Sequence, residues 1–165
     1  MTKSTSLHKP AKTTVLVVRL GASLLALPIE AIEEVLPALP IEPIPHSPGF
    51  VRGVVFVRGH LIPVLDAAER LGMQDHQRPD EPNIVCLRQH GRLVGVEFDE
   101  ALDLMEIRTD ECLTAIQLGT TAGFLRGVVE RDGLVIRLLD PEKLISNDEL
   151  PSLEQLPMTR VCTTV

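Results

Sequence analysis

The chain has 165 residues, a formal net charge of −7 and 44 % hydrophobic residues, but only four aromatic residues, all phenylalanine. An acidic chain without Trp or Tyr lacks both the positive surface and the stacking side chains that bind nucleic acid, which argues against nucleic acid as a partner. The length suits one domain or two small subdomains with a shared core. A core built from Val, Leu and Ile favours strands.

The three cysteines, Cys86, Cys112 and Cys162, are odd in number and far apart, and none lies at metal-ligand spacing from another Cys or a His. Neither a disulfide framework nor a metal site is therefore predicted. The apolar runs are too short or too often interrupted for a signal peptide or a membrane-inserted segment. A reducing cytoplasm is the expected location.

The N-terminal part of the chain predicts a tail and a hairpin. Residues 1–13 are polar and are expected to be disordered. Val15–Leu20 and Leu24–Ile29 flank a Gly-Ala-Ser turn and predict two paired strands. Ala31–Val35 continues as a helical turn or an irregular strand. Five prolines between positions 37 and 48 then exclude a helix or a central strand, so an extended, packed crossing is expected.

The central segment Phe50–Asp66 occurs twice. A shift of 74 residues places it without a gap on Phe124–Asp140, with nine of seventeen positions identical. Each copy predicts a strand, a tight turn and a second strand, because Asp132-Gly133 between β-branched runs is a strong hairpin signal and Gly59 holds the same position in the first copy. Two similar β units are therefore expected.

The remaining elements repeat this plan. Ala67–Met73 predicts a short helix that ends at Gly72, and Gln74–Asn83 an exposed loop. Ile84–Leu87 and Leu93–Phe98 predict another hairpin, followed by Glu100-Ala101-Leu102-Asp103, which matches the Glu-Ala-x-acid sequence after the first hairpin. Each half, roughly residues 15–66 and 84–140, then contains two hairpins joined by a connector, and two small packed barrels are favoured over one open sheet.

No phosphate-binding, dinucleotide-binding, zinc-protease or serine-hydrolase motif occurs, so no enzyme activity and no cofactor are predicted. Asp66 and Asp140 end equivalent strands, and a pair of catalytic or ligand-binding carboxylates in a small β-barrel protein is the alternative function. Capping of the following turn is the favoured interpretation of both.

The histidines, Cys86 and the pair of Glu34 and Arg58 are the remaining candidates for a functional role. The histidines, at positions 8, 46, 60, 76 and 90, all fall in predicted turns, loops or the tail, and solvated side chains are expected. Cys86 is expected to be a small core residue. Glu34 and Arg58 lie beside residues that the fold must bury, and either Arg58 is a solvated turn residue or the two form a partly buried pair that shapes a binding surface.

Several segments together resemble the CheW-like domain. The resemblance runs from about Val15 to Ser146 in the family's order. It rests on Leu25–Ile29, Glu34-Val35, Pro45–Phe50, Val51–Val54, Val57-Arg58-Gly59, Ile62–Asp66 and Val94–Asp99.

The resemblance implies a mainly β fold of two intertwined five-stranded SH3-like barrels with short helical segments. The CheW-like domain would cover residues 14–146, between the tail of residues 1–13 and a partly helical C-terminal tail of residues 147–165. It also implies a non-enzymatic scaffold that couples methyl-accepting chemoreceptors to a CheA-type histidine kinase in a cytoplasmic array attached to membrane receptors.

The resemblance further implies that the counterparts of Glu34 and Arg58 pair and influence contacts with both partners. The expected partner-binding residues are Ile32, Glu34, Val35, Gly53, Val54, Phe56, Arg58, Gly59 and Leu102. The chain departs from the family at Phe56, where the hairpin usually has Asn, and near Leu25, where the usual aromatic residue is missing. Both departures favour a role in a specialised chemosensory pathway over that of a generic chemotaxis coupler.

Overall fold

The computed structural model describes residues 10–73, 75–119 and 123–144, and these residues are mainly in strands. The strands of the first half are β1 (Lys12–Leu20), β2 (Ser23–Pro28), β3 (Ile32–Leu36), β4 (Val51–Val57) and β5 (His60–Asp66). Those of the second half are β6 (Asn83–Gln89), β7 (Arg92–Phe98), β8 (Glu100–Arg108), β9 (Leu113–Thr114), β10 (Leu125–Arg131) and β11 (Leu134–Leu139). Each half ends in a one-turn helix, α1 (Ala67–Arg70) and α2 (Pro141–Leu144).

The strands form two sheets, and each sheet combines strands from both halves. One sheet has six strands in the order β8-β1-β2-β11-β10-β9, and the other has five in the order β3-β6-β7-β5-β4. Neighbouring strands are antiparallel except for β2 with β11 and β5 with β7. The first hairpin of each half therefore lies in the same sheet as the remaining strands of the other half. This confirms the intertwined arrangement.

Three hydrophobic clusters explain why the first hairpin of each half is apolar on both faces. Along β1, Val15 and Val17 point into the core of the six-stranded sheet, whereas Leu16 and Val18 point into a core shared by both sheets. Strand β6 alternates in the same way between the five-stranded sheet and the shared core. A strand that is buried on both faces needs a continuous apolar run, which is what Val15–Val18 and residues 84–87 supply.

The two sheets curl around their own cores, and side-chain contacts join strands from opposite sides of each sheet. In the five-stranded sheet, Arg58 in the β4–β5 turn contacts Glu34 on β3. In the six-stranded sheet, Arg131 on β10 contacts Glu111, just after β8, and its guanidinium lies 3.4 Å from the carbonyl oxygen of Glu106 on β8. We call the two units the five-stranded barrel and the six-stranded barrel.

Both tight turns have the predicted geometry. Arg58-Gly59 and Asp132-Gly133 separate paired strands, and all four residues have positive φ, between 49° and 83°. Two successive residues with positive φ define the hairpin turn that matches strand twist, and glycine adopts it without steric cost.

Several element boundaries differ from the sequence predictions. Strand β1 begins at Lys12, because its first residues pair with the end of β8, so the end of the predicted tail is in a strand. The six-stranded barrel contains a sixth strand, β9, that was not predicted. The proline-rich segment is an extended crossing as expected, with Leu39 and Ile41 packed on the core of the five-stranded barrel. The C-terminal tail of residues 147–165, which was predicted to be partly helical, lies outside the described residues.

None of the helices in the described ranges has the length and apolar character needed to cross a bilayer.

Candidate functional site

The predicted pair of Glu34 and Arg58 is present. Nη1 of Arg58 donates a hydrogen bond of 2.7 Å to Oε1 of Glu34, and the pair joins the two edge strands of the five-stranded barrel. The Glu34 side chain is 21 % exposed, whereas the Arg58 side chain is 74 % exposed. Partial burial was expected for both side chains. The structure shows it for the Glu34 carboxylate only, because the Arg58 guanidinium is largely in water.

Large apolar side chains stand on the two strands that this pair joins. Phe56 on β4 is 68 % exposed and Val35 on β3 is 40 % exposed. Their neighbours Leu36 and Val55 are buried in the barrel core, so Val35 and Phe56 point outward. An exposed aromatic ring that the fold does not use for packing is typical of a binding surface. We call Glu34, Val35, Phe56 and Arg58 the closure face.

The other predicted binding residues occupy different environments. Gly59 is exposed in the turn beside Arg58, and Val54 is half-buried on β4. Ile32 leans against the shared core. Gly53 is buried, and a side chain there would overlap the carbonyl oxygen of Glu42. The role of Gly53 is therefore to allow close packing of the chain at this point. Leu102 is exposed on β8, in the other sheet.

The sequence analysis missed one exposed apolar residue next to this set. Leu104 is 54 % exposed and lies two positions after Leu102 on the same edge strand. Alternate residues of a strand share a face, so the Leu-x-Leu spacing was a signal for it. The register with β1 shifts at Leu102, and both leucines are exposed. Leu102 and Leu104 form an apolar strip on β8, an edge strand of the six-stranded barrel.

The closure face has no chemical copy in the second repeat. By strand register Asp103 corresponds to Glu34, because Asp103 pairs with Val17 as Glu34 pairs with Cys86, and by the repeat Asp132 corresponds to Arg58. Two acidic residues therefore replace the charge pair, and the six-stranded barrel is joined through Arg131 and Glu111 instead. The two barrels thus present different surfaces despite their common plan.

The two repeat-end carboxylates cap helices, as predicted. Oδ1 of Asp66 accepts hydrogen bonds from the backbone N–H groups of Ala68 and Glu69, and Asp66 also pairs with Arg78. Asp140 accepts a hydrogen bond from the N–H of Glu142. Asp140 lines a polar cleft of about 500 Å³, but Asp66 does not line it. Among the described residues that line this cleft, only one of the two carboxylates is therefore present.

One histidine contradicts the expectation of solvated side chains. His76 is only 9 % exposed, and its Nε2 lies 2.8 Å from Oδ1 of Asp99, whose Oδ2 accepts a hydrogen bond from the N–H of Gly21. Arg78 in the same loop pairs with Asp66 and with the buried Glu97. The segment predicted to be an exposed loop is thus held to the β1–β2 turn and to the ends of β5 and β7.

The described cysteines are free thiols. Burial, with a smaller contribution from the nearby Glu34 carboxylate, raises the pKa of the Cys86 thiol to about 11. Burial also raises the pKa of Cys112, with added contributions from Glu111 and Asp110. Cys86 is a buried core residue, as predicted. Among the described residues, no cluster of three His, Cys, Asp or Glu side chains could hold a metal ion.

The sequence and the fold can be compared with those of known proteins. The family model described as the CheW-like domain matches residues 14–149. The chain belongs to this family. It is 34 % identical over 123 residues to the chemotaxis protein CheW of Thermotoga maritima, covering 73 % of this chain and 80 % of the relative. It is also 32 % identical over 130 residues to protein FrzA of Myxococcus xanthus, covering 77 % and 81 %.

A solved CheW-like structure has the same fold. The crystal structure of the scaffolding protein TtCheW from Thermoanaerobacter tengcongensis superposes with a TM-score of 0.75, covering 84 % of this chain and 94 % of that one at 24 % identity. The CheW-like family comprises scaffold and adaptor proteins of chemotaxis. The two-barrel architecture inferred from resemblance is therefore confirmed for this member.

Proposed function

We propose that the protein is a non-enzymatic adaptor that couples methyl-accepting chemoreceptors to a CheA-type histidine kinase at the cytoplasmic side of a chemosensory array. The observation that carries this proposal is the closure face. A scaffold acts by presenting surfaces, and here an exposed aromatic ring and an exposed valine flank a charge pair on a rigid barrel. The kinase partner would contact the chain through its regulatory domain, and the receptor through its cytoplasmic tip.

The chemistry of the closure face suits a partner with an apolar ridge and a carboxylate. Phe56 supplies the apolar anchor, and the largely solvated Arg58 has guanidinium N–H groups that can reach a partner while one donates to Glu34. Aromatic and arginine side chains at the centre of an interface contribute most of its binding energy. The strip of Leu102 and Leu104 on the edge strand β8 offers a second apolar surface on the other barrel.

Titration calorimetry of the full chain with a purified kinase regulatory domain and with a receptor cytoplasmic tip tests the proposal. We expect Phe56→Ser to lose about 2 kcal/mol of affinity for at least one partner, because the ring is buried only on binding. The melting temperature should not fall, since the ring is largely exposed in the free protein. Leu134→Ser, in the corresponding hairpin of the six-stranded barrel, is the matched control.

Absence of binding heat with either cognate partner, at low and at moderate salt, would overturn the proposed function. Binding that is unchanged by Phe56→Ser but abolished by Leu134→Ser would move the partner site to the other barrel.

A further inference from the structure

A second feature of the molecule lies away from the closure face. The six-stranded barrel contains an apolar pocket of about 230 Å³ that is continuous with its core. Its walls include Val15, Ala26, Ile107, Cys112 and Leu138. The pocket opens between the end of β8 and the β9–β10 edge of the sheet.

The five-stranded barrel shows why this space exists. There, the segment that follows β3 places Leu39 and Ile41 against the core. In the six-stranded barrel the link is the shorter stretch 109–112, and its first three residues form an exposed turn. Within this link only Cys112 packs inward, so it supplies one small apolar side chain where the other link supplies two larger ones.

Strand register identifies the residue of the six-stranded barrel that corresponds to Ile41. Glu42 pairs with Val54, and Leu113 pairs with Val128, which is the repeat equivalent of Val54. The preceding residues, Ile41 and Cys112, are therefore at matching positions. An isoleucine in one barrel corresponds to a smaller cysteine in the other, next to the pocket.

Arg126 places a positive charge at the pocket. Of the described residues that line the pocket, Arg126 alone is charged, and it also lines the neighbouring polar cleft. Its guanidinium lies 3.9 Å from Asp140, beyond normal hydrogen-bond length, and Asp140 already accepts the N–H of Glu142. Arg126 can therefore direct paired N–H donors at an anionic group at the mouth of the pocket.

We propose that this pocket binds an aliphatic monocarboxylate of medium chain length, with the hydrocarbon chain in the barrel and the carboxylate on Arg126. An apolar cavity of ~150 Å³ holds benzene, so the present volume accommodates on the order of eight carbon atoms. The ligand supplies the apolar contacts that Leu39 and Ile41 supply in the other barrel. This site is separate from the closure face, so it stands or falls independently of the adaptor function.

Methyl NMR titration of the full chain with octanoate and with 1-octanol tests the site. We expect octanoate to shift the methyl signals of Val15, Ile107 and Leu138 with a Kd on the order of 0.1 to 1 mM, as befits a ligand of this size. Octanoate should bind roughly tenfold more tightly than 1-octanol because only the acid pairs with Arg126. Arg126→Gln should remove that difference and leave 1-octanol binding unchanged.

A variant that copies the filled barrel supplies the second test. Cys112→Ile should abolish the octanoate shifts without lowering the melting temperature, and Ala26→Val is a second filling variant in case the first one folds poorly. Three results would overturn the proposal: no shifts at the pocket methyls in the full chain, equal binding of the acid and the alcohol, or octanoate binding that survives both filling variants.

Discussion

At the scale of single residues, the Glu34–Arg58 pair is asymmetric. The carboxylate is partly buried and the guanidinium is largely in water. An exposed ion pair contributes about 0.2–1 kcal/mol, because solvent screens it and two side chains must be ordered. Loss of Arg58 leaves a partly desolvated carboxylate, whereas loss of Glu34 leaves a solvated cation. The two single substitutions should therefore differ in cost.

We predict that Arg58→Ala costs about 1 kcal/mol of unfolding free energy and Glu34→Ala less, with a coupling of about 0.5 kcal/mol in a double-mutant cycle. The same cycle measured on partner affinity should show coupling, because both residues belong to the closure face. Glu33, next to Glu34 on β3, forms a control pair with Arg88 on β6; the two charged groups are 3.0 Å apart and both side chains are exposed. Coupling in affinity for the control pair, or none for Glu34 and Arg58, would contradict the assignment.

A second residue-scale prediction concerns Gly53. Its φ of +145° is unfavourable for other residues, and a Cβ there would overlap the Glu42 carbonyl oxygen on the proline-rich crossing. We predict that Gly53→Asp destabilises the fold by ~3 kcal/mol or more, since both strain and overlap must be relieved. Chemical denaturation measures this cost. Gly49→Ala is the control, because nothing lies near that position.

A Gly53→Asp protein with an unchanged melting temperature but no partner binding would make Gly53 a contact residue.

At the scale of elements, the loop between α1 and β6 is held by a buried polar network. Asp99 is the centre of this network, because its two oxygens engage His76 and the N–H of Gly21. Arg78 and Arg52 both contact Oε1 of Glu97, which is buried. Because the network already orders this loop, little further conformational entropy is lost when β6 pairs with its neighbours. The network therefore helps to position the first strand of the second half.

We predict that Asp99→Ala costs about 2–3 kcal/mol of unfolding free energy, because it leaves the Gly21 amide and His76 without their acceptor. Amide hydrogen exchange in residues 75–82 should accelerate at the same time. Glu81→Ala, an exposed position in the same loop, is expected to change neither. Unaltered exchange in Asp99→Ala would show that Arg78 alone holds the loop.

At the scale of the whole molecule, the two barrels cannot separate without breaking strands. Each sheet includes a hairpin from the other half, and the largest core cluster draws on both. Arg70 reinforces this joint, because its guanidinium stands over the rings of Phe50 and Phe124 and donates to the carbonyl oxygen of Leu144. Phe50 and Phe124 are repeat equivalents, so Arg70 lies where the two halves meet.

We predict a single cooperative unfolding transition, with equal calorimetric and van't Hoff enthalpies. Fragments 1–74 and 75–165 should each be unfolded alone, because neither contains a complete sheet, and should regain structure when mixed. Circular dichroism and NMR of the fragments test this. A stable fold in either isolated fragment, or two separate transitions in the full chain, would contradict it.

Local patterns predicted much of the fold correctly. The Asp132-Gly133 turn, the capping by Asp66 and the extended proline-rich crossing all depend on neighbouring residues and on backbone sterics, so a single segment carries the information. His76 was wrongly expected to be solvated. A loop is polar whether or not distant acceptors hold it, and Asp99 is 23 positions away.

The sequence by itself determined the repeat, the strand content and, through the family resemblance, the intertwined barrels and the Glu34–Arg58 pair. Only the tertiary structure decided how exposed each partner of that pair is, and that the shorter link at residues 109–112 leaves a pocket in one barrel. Turns and strand patterns arise from short-range sterics and periodic burial. Exposure and empty volume depend on segments far apart in the chain, which meet only when both sheets close.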